Sequence, residues 1–242
     1  MEEKKKIRIS VRSLVEFLLR RGDLDNRKGG FAEREAMQMG SRLHRKIQKQ
    51  MGGAYQAEVP LRFEKEYEHF VLVVEGRADG IFTDQEGTAI DEIKGIFQNL
   101  ERLEEPVPVH LAQAKCYAYI YGLDRKFERI GVQMTYCQMD TEEIRRFRVT
   151  YAMEELDLWF AGLLDEYWKW AEEQWQWEQK RNASMQGLEF PYPYRPGQRE
   201  MVAAVYRSIL RRKQLFVQAP TGVGKTMSTV FPAVRACGEG LA

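Results

Sequence analysis

The stretch Gly76–Lys94, GRADGIFTDQEGTAIDEIK, constrains this chain most, because it reads as a complete hairpin with charges at its open end. Strands over Gly76–Thr83 and Thr88–Lys94 meet at Asp84-Gln85-Glu86-Gly87. Asp at the first position and Gly at the fourth favour a type I turn. If pairing closes symmetrically, Asp79 faces Glu92. Facing side chains have Cβ atoms about 4.5–5.5 Å apart, where like charges repel. Two carboxylates so placed call for a cation. Lys94, two residues past Glu92, points to the same face about 7 Å along the strand. An Asp, a facing Glu and a nearby Lys make a hard-metal site with an amine able to orient water. A loop bulged at Gly87 is the alternative, and it turns every side chain to the other face. Ordinary solvated charges are the bland reading of the same residues.

With 242 residues there is room for one large domain, or for one medium domain and part of another. A hydrophobic content of 44% supports a buried core, and a net charge of +1 excludes a polycation. Any nucleic-acid affinity must therefore come from local patches. Cys116, Cys137 and Cys237 have no CxxC spacing, which argues against a disulfide framework or a zinc site and fits a reducing cytoplasm. No apolar run reaches the ~20 residues that span a membrane, so no membrane partner is expected.

Around the hairpin the periodicity predicts an α/β arrangement, a mixed sheet flanked by helices. Ser10 caps a helix over Val11–Arg21 that Gly22-Asp23 ends, and Arg27-Lys28-Gly29-Gly30 reads as an exposed basic loop. A second helix covers Phe31–Met51. There Gly40 and His44 share a face, and the missing side chain at Gly40 invites close approach. Strands are predicted at Tyr55–Glu64, Tyr67–Glu75, Ile130–Gln138 and Glu143–Thr150, with Gly95 ending the hairpin's second strand. Glu58 reads either as a polar group backing the site or as an exposed residue, the second being favoured. Pro106 and Pro108 precede a helix over Val109–Tyr121 that places Gln113 and Tyr117 on one face. A long helix over Tyr151–Arg181 holds all five tryptophans, and Trp168 and Trp175 are expected to pack on the sheet with Leu163 and Leu164.

A polar linker at 182–187 and the run FPYPYRPGQ then mark a change of domain, giving domains 1–185 and 186–242. A helix from Pro196 through Arg212 and a short buried strand at Leu215–Gln218 lead into Ala219, Pro220, Thr221, Gly222, Val223, Gly224, Lys225 and Thr226, which open a helix through Ala236. Strand, Gly-Lys-Thr loop and helix are the context of a phosphate-binding loop. Lys225 would reach the β- and γ-phosphates of ATP, and Thr226 would ligate magnesium. Sixteen residues follow Thr226. They are too few for the acidic partner strand of an ATPase, so the chain reads as part of a longer motor and is not expected to hydrolyse ATP alone.

On Gly40…His44, Asp79, Glu92-Ile93-Lys94 and Gln113…Tyr117, the region from about Ser10 to Leu164 resembles the RecB-like branch of the PD-(D/E)XK nuclease superfamily. The resemblance implies a restriction-endonuclease-like fold with Mg2+ or Mn2+ held by His44, Asp79, Glu92 and the Ile93 carbonyl. Lys94 would orient or deprotonate the attacking water, and Gln113 and Tyr117 would help hold DNA. Asp91 is a neighbouring carboxylate, but its opposite strand face and the Glu-x-Lys spacing favour Glu92. Some relatives carry an iron–sulfur cluster on four cysteines; with three, wrongly spaced, none is expected here. From about Tyr194 the chain is similar to the start of a RecA-like superfamily-two helicase of the DinG and XPD type, with Gln198 as the adenine reader and Ala219–Thr226 as Walker A. Together these imply a metal-dependent DNA nuclease joined to an ATP-dependent helicase in DNA repair or processing. Its partners would be single-stranded DNA or duplex ends and the rest of the motor. A non-cleaving DNA clamp and a small P-loop kinase are the alternatives.

Overall fold

β3 is the spine of the sheet. In the computed structural model, which describes residues 4–21 and 31–240, it runs unbroken from Phe70 to Asp84. The two strands predicted at 67–75 and 76–83 are thus one. β2 (Gln56–Glu66) pairs antiparallel with it from Val71 to Ile81 and carries it through Gly76. The opposite edge of β3 is shared. β1 (Lys5–Ser10) pairs parallel with Phe70–Glu75, and β4 (Gly87–Ile96) pairs antiparallel with Gly80–Asp84. Between them, no strand among the described residues borders 76–79 on that edge. β4 continues beside β5 (Arg129–Gln138), and β6 (Ile144–Ala152) completes the sheet.

Gly95 does not end β4, as predicted. It stays in the ladder opposite Cys137, and the space a side chain would take holds Met139, whose Sδ is 3.1 Å from an ideal Cβ. The turn follows expectation: Asp84 pairs with Gly87, and the Asp84 carboxylate accepts the Glu86 N–H at 2.9 Å.

Helices cover both faces. α1 (Val11–Leu19) starts at Ser10, whose hydroxyl accepts the Ser13 N–H at 3.0 Å, and buries Val11, Leu14 and Val15. The predicted helix stop at Gly22-Asp23 and the Arg27–Gly30 loop lie outside the described residues. α2 (Phe31–Gln50) packs Leu43 and Ile47 against Ile93, Cys137 and Met139. No close approach occurs at Gly40, where no described atom lies within 4 Å of an ideal Cβ. α3 (Pro108–Arg125) includes Pro108 as its first residue and lies on the other face of β4, the one that carries Glu92 and Lys94.

α4 (Met153–Gln186) corrects the expectation for the tryptophans. Its buried positions are Leu156, Phe160, Leu163, Leu164 and Ala171. Trp168, Trp170 and Trp177 are exposed, and Trp159 and Trp175 are half-buried. Within the first unit Trp168 stacks on Tyr67 with ring centroids 6.3 Å apart, and Trp159 lies under Lys115 Nζ at 4.3 Å.

The chain divides into two compact units, Met1–Lys169 and Trp170–Ala242. α4 begins in the first and ends in the second, and the expected domain boundary after residue 185 falls at its end. In the second unit α5 (Gln198–Leu210) packs with α6 (Lys225–Gly238). The predicted buried strand at Leu215–Gln218 is absent. Phe216 is 91% exposed, and no strand among the described residues of this unit offers it ladder hydrogen bonds. No helix among the described residues is long and apolar enough to cross a membrane.

Candidate active site

The site forms where β3 and β4 part. Their ladder ends at Gly80–Asp91, so the register is the symmetric one and Asp79 and Glu92 stand level at the first unpaired position. In place of a ladder bond, Asp79 Oδ2 accepts the Ile93 N–H at 2.8 Å. Its Oδ1 lies 3.4 Å from His44 Nδ1. Burial opposes charge on this imidazole, but the Asp79 carboxylate outweighs it and raises the His44 pKa.

Glu92 comes up from the floor of the site, only 1% exposed. Its Oε1 accepts from Lys94 Nζ at 2.7 Å, while Oε2 has no hydrogen-bond partner. Burial, reinforced by the neighbouring Asp79 charge, pushes the Glu92 carboxyl up to about 8, although Lys94 opposes the rise. Lys94 Nζ also donates to Gln113 Oε1 at 3.1 Å. Two of its three donors are therefore fixed, and the third remains for a phosphate oxygen or water.

Gln113 and Tyr117 reach the site from behind. They are 8% and 3% exposed and offer no open surface to a polymer. The Tyr117 hydroxyl bonds to the Gln113 side chain and to the Arg77 backbone, filling the gap that β1 and β4 leave on β3. Gly76 makes this possible, because a Cβ there would stand 2.6 Å from that hydroxyl.

Some neighbours escaped the sequence reading, and others take roles it did not give them. Gln48, one helical turn after His44, donates to the Asp79 carbonyl at 2.9 Å and to Glu58 Oε1 at 3.1 Å. Its spacing from His44 was the available signal. Glu58 is exposed as expected, but it sits between the pairs Ala57–Gly80 and Val59–Ala78, opposite Asp79, with φ +56°. Arg12 on α1 pairs with Glu16 at 2.8 Å and lies within electrostatic reach of Glu92. Asp91 occupies the other sheet face, where it accepts from Thr135 at 2.6 Å, Gln133 at 3.1 Å and Tyr55 at 3.0 Å. Polar Gln133 and Thr135 inside an otherwise apolar strand were the readable trace of this cluster.

Among the described residues no three His, Cys, Asp or Glu side chains stand close enough together to hold a metal ion. The fit to a divalent cation rests instead on Glu92 Oε2, a buried carboxylate oxygen without a donor beside a second carboxylate. Hard oxygen donors at Asp79, Glu92 and the Ile93 carbonyl suit magnesium or manganese.

In the second unit Gly222 and Gly224 adopt φ of +86° and +78°, and α6 begins at Lys225. Lys225 Nζ turns back onto the carbonyls of Ala219 at 3.0 Å and Pro220 at 2.8 Å. Gln198 is buried; its Oε1 accepts the Arg195 N–H at 3.0 Å, and its Nε2 is directed at the Gly224 carbonyl. A cavity of about 440 Å³ is lined by Gln198, Ala219, Pro220 and Val223. Thr226 and Lys225 line another of about 660 Å³.

No protein-family model matches the chain. A 46-residue stretch is 46% identical to a protein of Methanocaldococcus jannaschii named "Probable ATP-dependent helicase MJ0942", a match that spans 19% of this chain and 7% of that one. The crystal structure of SSO0001 aligns over 65% of this chain and 75% of its own, at 17% identity and a TM-score of 0.41. An alkaline exonuclease from Laribacter hongkongensis aligns over 70% and 94%, at 12% identity and a TM-score of 0.36. Both TM-scores are too low to bear on the site.

Proposed function

We propose that the first unit is a divalent-metal-dependent nuclease of the PD-(D/E)XK kind that hydrolyses DNA phosphodiesters, and that the second begins a helicase ATP-binding domain. The observation that carries the nuclease reading is the pairing of Asp79 with an almost fully buried Glu92 whose Oε2 has no donor, beside the ammonium of Lys94. Asp79, Glu92 and the Ile93 carbonyl would hold Mg2+ or Mn2+, and His44, 3.4 Å from Asp79 Oδ1, would orient that carboxylate rather than ligate the ion as the resemblance implied. The bound cation would supply Lewis-acid polarisation of the phosphate and ease ionisation of water at neutral pH.

The chain's own groups do the rest. Lys94, held by Glu92 and Gln113, presents a fixed positive charge and one open donor where negative charge builds up on the phosphate. His44 keeps Asp79 oriented, and Gln48 fixes the strand behind it through the Asp79 carbonyl. In the second unit the loop Ala219–Thr226 would take the ATP phosphates once Lys225 leaves the Ala219 and Pro220 carbonyls. The local likeness to a protein named as an ATP-dependent helicase supports this half of the reading.

The test is cleavage of end-labelled single- and double-stranded DNA by the whole chain with Mg2+, with Mn2+ and with EDTA. Glu92→Gln and Lys94→Ala should each lower the rate by at least about 100-fold while circular dichroism is unchanged. Undiminished cutting in either variant would sink the assignment. Metal and DNA binding without any cutting would leave the non-cleaving clamp.

A further inference from the structure

The exposed side of α2 carries a run of cations with no acidic residue among them. The whole sequence is balanced, with 37 Lys and Arg against 36 Asp and Glu, yet between Glu35 and Glu58 there is no acidic residue. The same span holds Arg42, Arg45, Lys46 and Lys49. At about 100° per residue these cations have a defined place on the helix. Leu43 and Ile47 face the core, and His44 and Gln48 face Asp79. Arg45 and Lys49 come next around the helix from the pair that touches Asp79, and Arg42 and Lys46 follow.

Their partners are few. Lys46 is bridged to Glu142, and Arg42 lies within electrostatic reach of the same carboxylate. Arg45 donates to the Ser41 carbonyl at 3.2 Å, and no carboxylate among the described residues pairs with Arg45 or Lys49. Exposed Arg146, on β6, brings a further cation to the end of α2, with its guanidinium 3.9 Å from Met51 Sδ and within electrostatic reach of Asp91. Arg42 to Lys49 spans about 10 Å of helix axis, enough to meet more than one phosphate of a strand.

We infer that Arg45, Lys49 and Arg146 form a rail that binds the phosphate backbone of a nucleic acid strand and leads it to the Asp79–Glu92 site. This rests on the nuclease reading above and names the surface that would deliver its substrate. Contacts of this kind fix position without reading sequence, and each one releases counterions.

The test is fluorescence anisotropy of the whole chain in EDTA, with labelled dT20, rU20 and a 20-bp DNA duplex across a sodium chloride series. The triple variant Arg45→Gln, Lys49→Gln, Arg146→Gln should lower the slope of log K against log salt. The expected drop is about 2 on single strands and about 2.7 on duplex. A control that removes the same charge elsewhere, Arg125→Gln, Lys126→Asn, Arg129→Gln, should keep the wild-type slope. Unchanged melting temperatures establish that both variants fold. If the wild type binds and the rail variant keeps its slope, or the control loses as much, the rail is overturned and the nuclease reading stands. If the wild type binds none of the probes at low salt, both fail together.

Discussion

Acid should weaken the first unit through one side chain, His110. It sits in the first turn of α3 with Nδ1 3.3 Å from the Tyr136 hydroxyl and its ring against that of Tyr136. Burial disfavours its charged form, and Lys94 and Arg12 oppose it further, so its pKa falls from 6.5 to about 4. The folded state thus takes up this proton less readily than the unfolded chain. The contribution to stability is fully present above pH 6.5 and is lost as the pH falls towards 4. A gap of roughly 2.5 pH units is worth about 3 kcal/mol, and partial solvent access brings that to about 2. His110→Gln retains a polar group and does not titrate in this window. Urea unfolding of both proteins from pH 7.5 to pH 4 cancels the other acid-sensitive groups in the difference. The variant should gain about 2 kcal/mol on the wild type across that range. A difference that does not change with pH would refute the reasoning.

Three further outcomes follow from the packing. Gly76→Ala should cost about 1–3 kcal/mol, because its Cβ would stand 2.6 Å from the Tyr117 hydroxyl; adding Tyr117→Phe should recover part of the loss in thermal melts. Thr135→Val removes a 2.6 Å hydrogen bond to a buried carboxylate and should destabilise by about 1–3 kcal/mol in denaturant titrations, with Asp91→Asn in the same background reducing the penalty. Gly224→Ala meets both a φ of +78° and the Gln198 amide 2.4 Å from the new Cβ, so binding of a fluorescent ATP analogue should fall at least about tenfold with the first unit's melting unchanged.

The local features were legible and the distant ones were not. Asp84-Gln85-Glu86-Gly87 favoured the symmetric register over a bulge at Gly87, and the ladder shows that register, with Asp79 and Glu92 level. Ser10 announced its helix because a hydroxyl cap is a matter of three residues. By contrast, Gly95 reads as a breaker until Met139, more than forty residues away, is seen to occupy the missing side chain's space. Gln113 and Tyr117 share a helix face as predicted, but only the tertiary fold shows that this face is turned inward onto Lys94 and Arg77. The exposed tryptophans and the missing strand at Leu215–Gln218 have the same cause: apolar content marks what can be buried, and the partner decides whether it is.

The shared edge of β3 also orders events in time. The β3–β4 hairpin closes across a two-residue turn, so Asp79 and Glu92 can meet on the microsecond scale of hairpin formation. The pairing of Lys5 with Phe70 closes a loop of some 65 residues, and the Tyr117 plug needs α3 docked as well. Pairings of such sequence separation are slow to form. A nascent or partly unfolded chain therefore holds both carboxylates but neither the fixed lysine nor the closed gap behind it. The proposed site is thus complete only in the finished fold, with α3 docked behind Lys94.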